Sequence, residues 1–211
     1  MTKINQSPKL PAEKRRRQLL NAATRLFVRK GYRGTTTEEI ARAARLTKGA
    51  LYHHFKSKED ILFALVSDAL TKFEQDIAPL ATRTFTPVEF VRVVLGAQGR
   101  DNYAEYRTLM DIWVQAMRFP RIRKFLVSYH EDAQAFFADH LDPAFGRDRR
   151  ARMQIAILTF AFVDGLATRL ALQPKSLDVE AQVELFARVL DTERRQVRGG
   201  QSRVRKDIQA I

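Results

Sequence analysis

A chain of 211 residues with no cysteine and a net charge of +13 can bury a core without covalent staples, and it excludes disulfides, thiol nucleophiles, zinc fingers and iron–sulfur clusters. The charge is uneven: residues 1–60 hold 15 Lys/Arg against 5 Asp/Glu, residues 61–194 hold 17 against 18, and residues 195–211 hold 5 against 1. A basic module joined to a nearly neutral one points to two jobs, the first being contact with a polyanion.

In chain order, the first thirty residues are basic and lack an apolar stretch of signal-peptide type, so a cytoplasmic location is expected. Leu19, Ala22, Ala23, Leu26 and Phe27 recur at helical spacing, and Gly31 is the expected stop. Thr36 with Glu39 makes a capping box that opens a short helix carrying Ile40, Ala41 and Ala44. Thr47 caps the next, which holds Leu51 and Phe55. Ser57 with Asp60 opens a longer helix through Ile61, Leu62, Leu65, Val66, Leu70, Phe73 and Ile77. Thr86-Pro87-Val88-Glu89 is another start. Helical segments follow at about 103–118, 121–141, 150–172 and 178–194, punctuated by Pro120, Pro143, Gly146 and Pro174. The run from Ile155 to Leu172 carries Asp164 and Arg169, which a membrane span tolerates poorly, so it reads as a buried helix. Residues 1–10 and the basic tail 195–211 read as flexible. The expected fold is all-α with about nine helices.

Two short helices joined through Arg45-Leu46 predict a helix-turn-helix, with Ile40, Leu46 and Leu51 as apolar packing positions and Ala41 at the close approach. Such a unit lays its second helix in the DNA major groove, N-terminal residues nearest the bases. Thr47, Lys48, Gly49 and Ala50 occupy that end. Tyr52 and His53 lie a turn further on, placed for phosphates or a thymine methyl. Lys58 sits in the first turn of the following helix, placed for phosphate. Each residue has an ordinary reading too: Thr47 as a cap, Tyr52 as a rim aromatic, Lys58 as a solvated lysine. Together, inside the most basic segment, they point to DNA. His53 and His54 diverge by about 100° and do not chelate one metal. His130 and His140 lack metal-binding spacing, and no cofactor is expected.

The segment Thr36–Asp60, above all LTKGALYHHFKSKED, resembles the DNA-binding domain of the tetracycline-repressor (TetR) family of bacterial transcription regulators, over roughly residues 11–65. The resemblance implies an N-terminal three-helix DNA-binding domain (11–57), a helical ligand-binding and dimerisation domain (58–194), and a homodimer formed through the last two long helices. It implies DNA contacts from Thr36, Thr37, Thr47, Lys48, Gly49, Tyr52, His53 and Lys58. The family usually has glycine where this chain has Arg45. A positive φ there would add strain of about 1 kcal/mol, which a phosphate contact by the arginine would offset. FVDGLATRLALQP (162–174) is similar to the penultimate helix of many members.

Aromatic residues accumulate between 60 and 172, most of them expected in the core. The pocket implied by the resemblance draws its candidates from Phe63, Tyr106, Met110, Trp113, Phe125, Tyr129 and Phe160, with Arg107, Asp111 and Asp164 as polar anchors. Arg107 and Asp111 are four apart, so pairing along their own helix is the ordinary alternative. The dimer stripes are Ile155, Leu158, Phe162 and Leu166 on one helix and Leu185, Phe186, Val189 and Leu190 on the next. The expectation is a dimeric repressor released from a palindromic double-stranded DNA operator by a partly apolar small molecule, with no membrane partner. A non-specific architectural nucleic-acid-binding protein is the rival. An enzyme finds no support, because there is no nucleophile–base pair, metal-ligand spacing or phosphate loop.

Overall fold

The stripe from Leu19 to Phe27 turns inward on the first helix, α1 (Ala12–Lys30), which buries Leu19, Leu20, Ala22, Ala23, Leu26 and Phe27. The computed structural model describes residues 11–97, 113–146, 148–173 and 177–209. Helices α2 (Thr37–Ala43) and α3 (Lys48–His54) follow, each opened by the threonine that precedes it. Thr36 and Glu39 complete a reciprocal capping box, and Thr47 Oγ1 accepts from the Ala50 amide at 3.1 Å. Helix α4 (Lys58–Ile77) begins after Ser57, whose hydroxyl accepts from the Asp60 amide at 3.0 Å. Ile40, Leu51, Ile61 and Leu62 are fully buried. Each such burial stabilises by about 1.5–3 kcal/mol, and truncating Leu51 to alanine would cost about 2–5 kcal/mol.

The described residues form two compact units. Among the described residues the first unit holds 11–70 and 113–123, and the second holds 71–97 and everything from Lys124 onward. The boundary expected at 57/58 is the start of α4, whereas the units divide inside that helix.

In the second unit, a 3-10 turn (Ala78–Thr82) leads to α5 (Pro87–Ala97). The Thr86–Glu89 capping box forms as its spacing predicts, with Thr86 N donating to Glu89 Oε2 at 2.7 Å and Glu89 N to Thr86 Oγ1 at 3.2 Å. Helix α6 (Pro120–His140), helix α7 (Arg149–Leu172) and helix α8 (Val179–Gln209) follow. Asp148 caps α7 through the Ala151 amide at 2.8 Å, and Asp178 caps α8 through the Ala181 amide at 3.0 Å. The core gathers Phe85, Phe90 and Phe137 with Val91, Val94, Ala156, Val183 and Leu190. Phe137 meets Phe85 and Phe90 edge-on at 5.1 and 4.8 Å, a geometry that brings ring edges to ring faces. No strand occurs among the described residues, only an isolated bridge between Phe85 and Leu141.

Two expectations change. The last helix does not stop at Arg194 but continues to Gln209. Once a helix exists it gains a bond per residue, and Gly199-Gly200 weakens that by about 1 kcal/mol per glycine rather than ending it. Of the segment expected at 103–118, Trp113–Ala116 are helical and Met117–Arg118 form a turn, while residues 103–112 lie outside the described residues, as does the arm 1–10. Helix α7 is long and apolar enough to cross a membrane by length and composition. It nevertheless turns Ala156, Thr159, Val163, Leu166 and Leu170 into the protein interior.

Candidate nucleic-acid interface

The turn between α2 and α3 is built from backbone alone. Leu46 N donates to Ala41 O at 2.9 Å and Arg45 N to Arg42 O at 3.0 Å, the paired bonds of a Schellman motif with residue 45 at its left-handed position. Arg45 has φ 56° there. The strain that the sequence posed as a condition is therefore present, because an L side chain is disfavoured in this region. Its side chain is exposed. The preceding loop uses glycine twice. Gly31 sits at φ 73°, ψ 163°, and a Cβ on Gly34 would lie 2.5 Å from the Lys30 carbonyl oxygen.

Helices α2 and α3 are joined by side chains as well. The Thr37 hydroxyl and the Tyr52 phenol share a hydrogen bond at 3.2 Å. Lys48 pairs with Glu38 at 2.5 Å, and its ammonium stands 5.8 Å from the centre of the Tyr52 ring. The Lys48 hydrogen bond holds the Glu38 carboxyl below the usual range, and Glu38 holds the Lys48 ammonium above its own. Thr47, Lys48, Gly49, Tyr52 and His53 are all exposed. A Cβ on Gly49 would meet nothing nearer than Thr47 Oγ1 at 4.0 Å, so this glycine keeps the start of α3 open rather than filling a tight contact.

Thr36 stays exposed and Lys58 is half-buried, and both are engaged within the protein. The Thr36 hydroxyl is engaged by Glu39 in the capping box. Glu39 also pairs with Lys30, and Lys30 together with the Thr36 amide holds its carboxyl down at about 2. Lys58 Nζ donates to the carbonyls of Tyr32 and Thr35, each at 2.8 Å, and lies 4.3 Å from the Tyr32 ring centre. Burial pushes its pKa below the ordinary lysine value. One of its three N–H groups is left over. Tyr32 also packs against Phe27 and, edge-on, against Phe119, at 5.3 and 5.4 Å. The sequence reading missed Tyr32, Gly34 and Glu38. Gly34 alone had a local signal, in Gly31-Tyr32-Arg33-Gly34.

The described pocket candidates fall in both units. Tyr106, Arg107, Met110 and Asp111 lie outside the described residues. In the first unit Phe63 stacks under the Arg121 guanidinium at 4.5 Å, and Trp113 is half-buried. In the second, Phe160 packs on Phe90 and Phe137 at 5.2 and 5.9 Å as part of the core margin, and Phe125 is half-buried on α6. Burial, then Glu74, pushes the Tyr129 phenol up to about 12. Asp164 keeps solvent contact, yet surrounding protein raises its carboxyl above the usual range, with His130 pulling the other way.

The proposed dimer stripes split into two faces. Leu166, Phe186 and Leu190 are buried within the chain, whereas Leu158, Leu185 and Val189 are 46%, 48% and 52% exposed. Ile155 and Phe162 are partly buried against the core, and Phe162 stacks flat on Phe186 at 4.2 Å. Ile157, which the stripe omitted, is exposed as well.

Comparison with known proteins agrees with this geometry at both ends of the chain. Residues 19–65 match the family "Bacterial regulatory proteins, tetR family", and residues 88–195 match "BetI-type transcriptional repressor, C-terminal". The regulator BetI of Burkholderia mallei is 30% identical over 191 residues, spanning 85% of this chain and 93% of its own. The regulator HbdR of Aromatoleum sp. is 43% identical over 82 residues, which are 39% of this chain and 35% of HbdR. Among solved structures, Salmonella enterica GusR superposes with a TM-score of 0.65 at 21% identity, over 90% of this chain and 98% of its own. A TetR-family member from Streptomyces coelicolor A3 gives 0.65 at 23% identity, over 83% and 97%. With a capped helix-turn-helix at its head and a regulator's C-terminal sequence over more than half its length, this chain belongs to the TetR family of bacterial transcriptional regulators.

Proposed function

We propose that the protein is a homodimeric repressor that holds a palindromic operator through α3 and releases it when a partly apolar small molecule binds the C-terminal half. The observation that carries the reading is the exposed face of α2 and α3. Arg45, Thr47, Lys48, Gly49, Tyr52 and His53 are exposed there with Thr37 half-buried beside them, on the most basic segment of the chain, and α3 is of a size to enter the major groove. Thr36 and Lys58 serve it by fixing the entry to α2, with the spare N–H of Lys58 available to a phosphate. The DNA-binding part is residues 11–57, and residues 58–194 hold the effector and the partner subunit. The protein works in the cytoplasm, as a regulator rather than a catalyst.

Leu158, Leu185 and Val189, with Ile157, form the seam between subunits. Two helices from each copy make an intermolecular four-helix bundle, and the two-fold axis is mirrored in the operator. The effector contacts the region around Tyr129 and Asp164. EbrR, a multidrug binding protein 25% identical to this chain with a TM-score of 0.61, has been solved with malachite green, which supports an aromatic effector class. Release is a difference in effector affinity between two states of the dimer.

Selection from random duplex DNA tests the reading. A dimer should return a two-fold symmetric consensus at physiological salt. Binding with no symmetric consensus would mean an architectural protein and would overturn the proposal.

A further inference from the structure

We infer that Glu38 is a specificity-determining residue of the DNA-reading face, acting with Lys48 to read one G·C pair in each half-site and to withhold the Lys48 charge from phosphates. The inference rests on the docking of α3 proposed above. Lys48 is the first residue of α3 and Glu38 the second of α2. Their side chains are 60% and 53% exposed and pair across the two helices at 2.5 Å. The Thr37–Tyr52 hydrogen bond at 3.2 Å fixes the same two helices beside them.

A carboxylate here opposes phosphate wherever the protein lands, so it lowers non-specific affinity for every sequence alike. It also presents an acceptor next to a donor. In the major groove guanine offers O6 and N7 as acceptors, and its cytosine partner offers the N4 amino group as a donor. Lysine to guanine and glutamate to cytosine matches one G·C pair with the ion pair intact. A C·G or A·T pair puts a donor under the ammonium and an acceptor under the carboxylate, while a T·A pair keeps the order but sets the thymine methyl where the ammonium would meet guanine N7. Specificity of this kind comes partly from repulsion of the wrong partner.

Glu38→Gln keeps the shape and removes the charge, and at an exposed site it leaves folding intact, which a thermal melt checks. Wild type, Glu38→Gln, Lys48→Gln and the double variant would each be put through selection from random DNA and a salt titration on random duplex. Wild type should show one G·C-restricted position per half-site. A good pair of contacts discriminates by about 5–150-fold. Glu38→Gln should relax that position several-fold and no other, raise non-specific affinity, and steepen the salt slope by about 1 as Lys48 turns to phosphate. The double variant should lose that extra slope. A wild-type consensus and slope in Glu38→Gln overturns the inference while leaving the operator reading intact. A wild type that selects no symmetric site overturns both.

Discussion

Replacing Arg45 by glycine should stabilise this protein, although it removes a residue from the face proposed to meet DNA. The arginine holds φ 56° in the turn that closes α2, and its side chain is exposed, so no packing is lost with it. A left-handed conformation costs an L residue about 1–2 kcal/mol. Glycine removes that strain but adds unfolded-state freedom worth about 0.4–1 kcal/mol. The net gain is about 0.5–1 kcal/mol, or about 1–4 °C in melting temperature for a chain of this size. Alanine separates strain from charge, since its Cβ keeps the conformational cost while the guanidinium is gone. Urea unfolding at constant m is the assay. Arg45→Gly should have a higher midpoint than wild type, and Arg45→Ala should not. If Arg45 meets a phosphate, both variants should lose about one counterion from the salt slope. Equal midpoints for the glycine and alanine variants would refute the strain account, because then the conformation at residue 45 costs nothing.

Gly34→Ala should destabilise by about 1–3 kcal/mol in the same assay, because the new Cβ would meet the Lys30 carbonyl oxygen at 2.5 Å; a neutral result would mean the loop shifts freely. Lys58→Met should cost about 1–2 kcal/mol through the lost bonds to Tyr32 and Thr35, whereas a residue serving phosphate alone would leave the midpoint unchanged and lower the salt slope by about 1. Glu39 is held at about 2 in the folded chain, below an unfolded value of about 4.3; its contribution is complete above the unfolded value and lost as pH falls from there toward 2, so Glu39→Gln should flatten that part of an acid-unfolding curve. Leu185→Glu or Val189→Glu should give folded monomers by sedimentation and circular dichroism, while Phe186→Glu should unfold the subunit; folded Phe186→Glu monomers would show that the seam has been placed on the wrong face.

What was legible in the sequence acts over four residues or fewer. Thr36 with Glu39, Thr47, and Thr86 with Glu89 each announce a helix start by spacing alone, and each forms. What was illegible joins residues far apart in the chain. The structural role of Lys58 was hidden because its acceptors, the carbonyls of Tyr32 and Thr35, are 26 and 23 residues away. Glu38 went unread because its partner, Lys48, lies on another helix. The proposed dimer stripes mix two faces. Neighbours on a helix point about 100° apart, so adjacent apolar residues such as Leu185 and Phe186 take different faces. A helix that is apolar on both its core-facing and its exposed face reads as one broad stripe. Only burial separates Phe186, at 6% exposure, from Leu185, at 48%.

The same contacts bear on how a signal would reach DNA. The loop before α2 is held from outside the helix-turn-helix, by Lys58 at the head of α4 and by the edge of Phe119 on Tyr32. Arg121 ties the same region to α4 through Asp60 at 2.8 Å and the Phe63 ring. From α2, the Thr37–Tyr52 and Glu38–Lys48 pairs run directly to α3. A shift of residues 119–121 against α4 would therefore disturb the entry to α2 before it disturbed any group proposed to touch a base. Contiguity of this kind becomes coupling only when the two ends bias the same pair of states. An effector that binds equally to both states would leave operator affinity where it was, however tightly it bound.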